Sequence, residues 1–156
     1  MTPAIVAIKK AGICFQTHEY QHSPNATSYG LEAVEKLGIS PERVYKTLVV
    51  TDDHSLFVAI IPVQLKLSLK AMANAVGAKK ITMAHEQKVI ATTGYVLGGI
   101  SPLGQKKQLL TVIDQSAQYI EAMYVSGGKR GLEIEIKPSD LVSLTAGKFV
   151  SICAQA

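Results

Sequence analysis

The chain has 156 residues, 47% of them apolar and 18% charged, which suits one domain with a sizeable core and excludes a disordered tail. Sixteen Lys and Arg oppose twelve Asp and Glu for a formal charge of +4, a balance compatible with a polyanionic partner but not demanding one. Cys14 and Cys153 stand far apart in no C-x-x-C or Cys/His spacing, which argues against a disulfide scaffold or a zinc site.

The N-terminus, Met1-Thr2-Pro3, has no charged segment followed by an apolar stretch, so no signal peptide is expected. A helix is expected from Ala4 to Lys10, with Pro3 in its first turn and Gly12 ending it. Cys14 to Tyr20 reads as a strand, and 21–28 as polar and turn-like. Ser28 suits the N-cap of a helix from Tyr29 to Leu37, closed by Gly38. Val44–Thr51 and Leu56–Ile61 are β-rich runs joined by Asp52-Asp53-His54-Ser55, the pattern of a hairpin. Leu56 to Val63 is also the longest apolar run, too short to span a bilayer. Ser68–Val76 reads as a helix ending at Gly77, and Ala84–Thr92 as another. Seven of the twelve glycines then fall between Gly94 and Gly131, where the backbone must bend or approach something closely. Strands follow at Leu109–Ile113, Glu121–Val125 and Leu132–Ile136, then a helix after Pro138 and a strand at Lys148–Cys153. No repeat or linker interrupts the pattern. The expectation is one α+β domain over 1–156, a compact fold with a mixed β-sheet flanked by helices.

Three features could carry chemistry. Strand alternation puts Lys46 on the same face as Val44, Leu48 and Val50. A lysine there is costly unless its ammonium finds a partner, a cleft or a route to water. It reads either as a strand-end lysine reaching solvent or as a cation aimed at a phosphate or a reacting ester. The second feature is the run from Thr93 to Gly104, whose Gly98-Gly99 pair can expose backbone N–H groups to an oxyanion or carbonyl. Its Gly99–Gly104 spacing imitates a Walker A loop, but Gln105 stands where the lysine belongs. An ordinary glycine-rich bend is the alternative. The third is Ser126-Gly127-Gly128-Lys129-Arg130-Gly131, where two cations flanked by glycines suit an anionic backbone or a plain solvated turn. There is no G-x-S-x-G elbow, no H-E-x-x-H and no tight carboxylate pair. The four histidines read as surface residues and the cysteines as core thiols.

Together, Tyr45-Lys46-Thr47-Leu48, the segment Thr93-Gly94-Tyr95 with Gly98 to Lys107, and Ser126 to Gly131 closely resemble the YbaK family, as does the opening Met1-Thr2-Pro3-Ala4. These are bacterial Cys-tRNA(Pro) deacylases, related to the editing domain of many bacterial prolyl-tRNA synthetases. The resemblance implies a strongly curved sheet and a cleft for the 3′ end of charged tRNA. It implies an enzyme that needs no cofactor or metal, acts in trans in the cytoplasm and cooperates with prolyl-tRNA synthetase. In the family the substrate cysteine's thiol is thought to attack its own ester, releasing a thiolactone and free tRNA. Lys46 matches the family's essential lysine, and Gly99, beside Gly98, is expected to offer backbone groups to the substrate. Tyr20, Tyr29, Thr47 and Ser126 match cleft-lining positions, with Gly127, Lys129, Arg130 and Glu133 expected to contact substrate. Two positions depart from the pattern: Tyr29 stands where relatives often have Phe, and Glu133 where Asp is expected. The competing expectations are an Ala-tRNA(Pro) deacylase, which would need a protein-positioned water, and a non-catalytic tRNA- or synthetase-binding module.

Overall fold

The fold is described from a computed structural model covering residues 1–26 and 28–155; Thr27, in the turn-like stretch 21–28, and Ala156 lie outside the described residues. In chain order the elements are α1 (Pro3–Ala11), β1 (Gln16–Glu19), α2 (Tyr29–Leu37), β2 (Tyr45–Thr51), β3 (Leu56–Pro62) and α3 (Leu69–Val76). There follow β4 (Thr82–Met83), α4 (Glu86–Thr93), β5 (Leu110–Asp114), β6 (Met123–Ser126), β7 (Leu132–Ile136), α5 (Pro138–Thr145) and β8 (Lys148–Val150). Short 3₁₀ turns at Pro41–Arg43 and Gln115–Tyr119 were not foreseen from the sequence, nor was β4.

This is the expected α+β architecture, with its strands divided by hydrogen bonding into two sheets. The larger runs β4-β2-β3-β5-β8, with β3, β5 and β8 mutually parallel and β2 antiparallel to β3 and β4. The smaller is the antiparallel set β1-β7-β6. A single parallel bridge, Val44 to Tyr124, links them. Beside that bridge Arg43 donates to the Ala122 carbonyl and to Glu135, and its guanidinium lies 5.1 Å from the Tyr124 ring centre.

Alternation along β2 decides what lies on each side. Tyr45 and Val49 join the main core with Ile60, Ile113, Val125, Ile134 and Ile136, between the two sheets. Val50 lies in a second cluster with Ala59, Ile61, Met72 and Ile152, under α3. Helix α2 is capped as its sequence demands: the Ser28 hydroxyl accepts from the Leu31 N–H, and Gly38 closes the helix at φ +64°. Its second residue, Gly30, lies so close to Val63 that a Cβ would come within 2.1 Å of a methyl carbon. That contact seats the start of α2, and Tyr29 with it, beside the start of β2.

Two strands are shorter than their sequence patterns. The expected strand from Cys14 begins at Gln16, and the expected Lys148–Cys153 strand ends at Val150, with Cys153 making only an isolated bridge to Leu67. Cys14 is exposed rather than a core thiol, whereas Cys153 is half-buried against the second core cluster.

Candidate functional site

β4 pairs with β2 only at Val50 and Thr51, and the Ala84 N–H donates to the Val49 carbonyl just beyond. The first half of β2 therefore has no strand beside it on that edge until the bridge at Val44. A cavity of about 370 Å³ opens in this gap, a volume suited to a small ligand group. Five consecutive residues, Tyr45 to Val49, form one wall. Facing them are Ser126 of β6, Glu133 of β7, Tyr29 of α2, and Leu97, Gly98 and Ile100 of the glycine loop.

Eight residues singled out from the sequence meet here: Tyr20, Tyr29, Lys46, Thr47, Gly98, Ser126, Lys129 and Glu133. Gly99, Gly127 and Arg130 stand outside the wall. Of the backbone groups Gly99 is expected to offer substrate, the N–H donates to the Val96 carbonyl at 3.0 Å. A Cβ on Gly99 would meet the Lys129 backbone at 2.8 Å, so this glycine packs the two glycine loops together. Gly127 likewise spends its N–H on the Leu132 carbonyl, 2.8 Å away, inside the β6–β7 hairpin.

Arg130 is engaged rather than free. Its guanidinium stacks on Tyr29 and donates to the Tyr29 hydroxyl, to the Leu97 carbonyl at 3.3 Å, and to His22 Nε2 at 3.4 Å. His22 in turn is bound through Nδ1 to Glu32 at 2.7 Å, and His18 to Glu135 at 2.9 Å. These two histidines, expected on the surface, are structural partners of carboxylates.

The polar groups of the cavity are largely uncommitted. Burial pulls the Lys46 ammonium below the usual lysine range, with Cys153 acting the other way and Lys66 adding to the depression. No carboxylate pairs with it among the described residues. The Thr47 hydroxyl is the one fully buried side-chain polar atom without a hydrogen-bond partner among the described residues. Glu133 is only 7% exposed, and burial pushes its carboxyl up to about 8. Tyr20 is pushed up to about 12 by burial, then by Glu133 and Glu32. Its hydroxyl reaches the Tyr29 carbonyl at 3.4 Å. The described wall contains neither His nor Cys, so it presents donors and a carboxyl but no base-activated nucleophile.

Several wall residues escaped the sequence reading. Met83 comes from a two-residue strand with no apolar run to reveal it, Ala84 follows it ahead of α4, where the helix was expected to begin, and Leu97 lies in a loop. Leu48 and Val49 simply continue the edge that holds Lys46.

Residues 23–144 match the model of the aminoacyl-tRNA editing domain. The chain belongs to that family. It is 40% identical, over 97% of its length and 92% of the relative's, to EbsC of Enterococcus faecalis, which is named as a candidate Cys-tRNA(Pro)/Cys-tRNA(Cys) deacylase. A 75-residue segment covering 48% of the chain is 36% identical to part of the proline–tRNA ligase of Shouchella clausii, 13% of that protein. A solved structure described as a candidate trans-editing enzyme for prolyl-tRNA synthetase superposes with a TM-score of 0.87. It covers 98% of this chain and 96% of that one at 19% identity, a likeness of fold. Within this editing domain, the open edge of β2 is where the unpartnered groups gather. No helix is long and apolar enough to cross a membrane among the described residues.

Proposed function

We propose that this editing domain deacylates Cys-tRNA(Pro) in trans, and Cys-tRNA(Cys) with it, by letting the substrate's own thiol do the cleavage. The observation that carries the reading is that Lys46, with no carboxylate partner among the described residues, and Thr47, whose buried hydroxyl has none there either, are consecutive residues of a described wall without His or Cys. Such a site can orient an ester and stabilise developing charge, but it offers no activated nucleophile of its own.

A free thiol with a pKa of about 8.5 supplies an appreciable thiolate fraction near neutral pH. The thiolate sulfur attacks the ester carbonyl carbon, and the C–O bond to the ribose breaks. The ribose oxygen takes up a proton, and cysteine leaves as a four-membered thiolactone. Proximity favours the step because both reacting groups belong to one small molecule. Lys46 stands beside the ester or the terminal phosphate, and Thr47 donates to the developing oxyanion. A serine hydroxyl is a far poorer internal nucleophile, so selectivity rests on chemistry as well as on fit.

The aminoacyl-tRNA is the substrate, and prolyl-tRNA synthetase is the natural source of the mischarged species. The similarity to a segment of a proline–tRNA ligase supports that partnership. The reaction belongs in the cytoplasm, where tRNA is charged. Lys129 at the rim and the mild positive charge suit a phosphate backbone without sequence readout.

The test is deacylation of Cys-, Ser- and Ala-tRNA(Pro) by the wild type and by Lys46→Ala. Loss of cysteine alone, abolished in the variant, supports the reading, and a trapped thiolactone fixes the chemistry. Alanine cleared while cysteine persists moves the protein to alanine editing. No turnover of any ester leaves a binding module.

A further inference from the structure

Strand β7 carries two glutamates on one face, and their surroundings differ sharply. Leu132, Ile134 and Ile136 point into the core, so Glu133 and Glu135 share the opposite face. Glu135 is doubly paired, with His18 at 2.9 Å and Arg43 at 3.3 Å. Glu133, two residues nearer the cavity, has no ion pair among the described residues, and no cation offsets its burial. It stands across the ladder from Ser126 and lines the cavity that Lys46 lines from β2. A carboxyl nine-tenths buried and without a partner is a costly group to keep in a protein. The cost is recovered if a ligand brings the missing cation.

We infer that Glu133 is the seat of the substrate's α-ammonium group, which makes a free amino terminus on the acyl group a requirement of this site. The inference rests on the proposed function and deepens it. An aminoacyl ester is dipolar in the sense the cavity demands: a cationic amine on the acyl group and anionic phosphates on the nucleotide. Lys46 and Lys129 suit the phosphate or ester end. Glu133 is the lone carboxylate-bearing side chain of the described wall and suits the amine end. Protein and ligand thus carry complementary charges within one cavity. The longer Glu side chain, in place of Asp, extends the carboxylate one methylene further from β7. Glu133 binds and orients; the bond changes occur at the thiol and the ester.

The experiment compares Cys-tRNA(Pro) with 3-mercaptopropionyl-tRNA(Pro), which keeps the thiol and ester but lacks the amine. Both are assayed with the wild type and Glu133→Gln, whose folding is checked by thermal unfolding. The wild type should prefer the amine-bearing ester by roughly 10- to 100-fold in KM, the scale of one charge-assisted hydrogen bond. In Glu133→Gln that preference should collapse toward unity, and kcat should move less than KM. Equal losses on both esters, or an undiminished preference for the amine, would overturn the assignment. If the wild type turns over neither ester, the deacylase reading fails. The seat is then judged by calorimetry with two non-hydrolysable 3′-amides of adenosine. One carries a cysteinyl group and the other 3-mercaptopropionyl, and the wild type alone should prefer the first. Equal affinities would reject it.

Discussion

The Arg130 guanidinium lies 4.3 Å from the centre of the Tyr29 ring and donates to that residue's hydroxyl at 2.5 Å. The same side chain reaches the Leu97 carbonyl and His22, so one arginine ties the start of α2 to the glycine loop at the mouth of the cavity. The hydroxyl by which Tyr29 differs from the expected Phe is therefore spent on this strap. Tyr29→Phe should keep the stack and lose one hydrogen bond, at a cost of at most about 1 kcal/mol for so exposed a pair. Arg130→Ala loses both and should raise KM for the charged tRNA more than Tyr29→Phe does. Steady-state kinetics beside thermal unfolding separates the two.

Gly98 makes the strap possible. It sits at φ +86°, and a Cβ there would stand 2.5 Å from Arg130 Nε and 2.7 Å from Tyr29 Cε2. Gly98→Ala should destabilise the fold by about 1–3 kcal/mol and displace both side chains. Denaturant unfolding together with deacylation should show both losses. An alanine variant of native stability and activity would mean the loop has room the geometry denies it.

The Thr47 hydroxyl has no hydrogen-bond partner among the described residues. Thr47→Val keeps the shape and removes a polar atom that is buried for no structural gain. Folding stability should hold or rise by about 1 kcal/mol. Deacylation should nevertheless slow by roughly 10- to 100-fold if the hydroxyl serves the oxyanion, a loss below that of a full oxyanion-hole donor. A variant both more stable and fully active would remove Thr47 from the chemistry.

The buried carboxyl of Glu133 also sets a pH dependence of stability. Its folded pKa, about 8, lies above the ordinary glutamate value of about 4.3, so the folded state holds a proton that the unfolded state has lost between these limits. Stability owed to this group should fall as pH rises from about 4.3 to about 8. Glu133→Gln removes that slope. The variant should melt above the wild type at pH 8, and the difference should shrink toward pH 5.

Glu32 acts in the opposite sense. Burial raises its carboxyl, but His22, the Ser23 N–H and Lys36 outweigh burial and hold it below the usual range. The stabilisation is complete above the unfolded value of about 4.3 and disappears as pH falls through the folded one. Melting temperature between pH 5 and 3 should drop less steeply in Glu32→Gln than in the wild type.

Much of this fold was legible because its signals are local. Ser28 and Gly38 bracket α2, Ser68 and Gly77 bracket α3, and Asp52 to Ser55 make the β2–β3 turn, each through contacts a few residues long. Lys46 stood out for the same reason, as a cation in a β-branched run. What escaped is decided across the chain. β4 exists only because β2 offers it an edge at Val50 and Thr51, and no local signal marks the Thr47 hydroxyl as an orphan. Gly99 is expected to offer backbone groups to substrate, and a turn three residues long claims one of them, its N–H. The tie between Arg130 and Tyr29 spans about a hundred residues and leaves no trace in either segment.

The bridge between Val44 and Tyr124 has a mechanical consequence. A continuous ladder resists splaying because each step of opening breaks backbone hydrogen bonds. Here the two jaws pack on a shared core, but among the described residues their strands join through one bridge, buttressed by the side chain of Arg43 against Ala122 and Glu135. Arg43, outside the cavity wall, thus braces the one strand joint between them. The width offered to an acyl group becomes a property of how two sheets lean together, adjustable without touching any group that meets the ester.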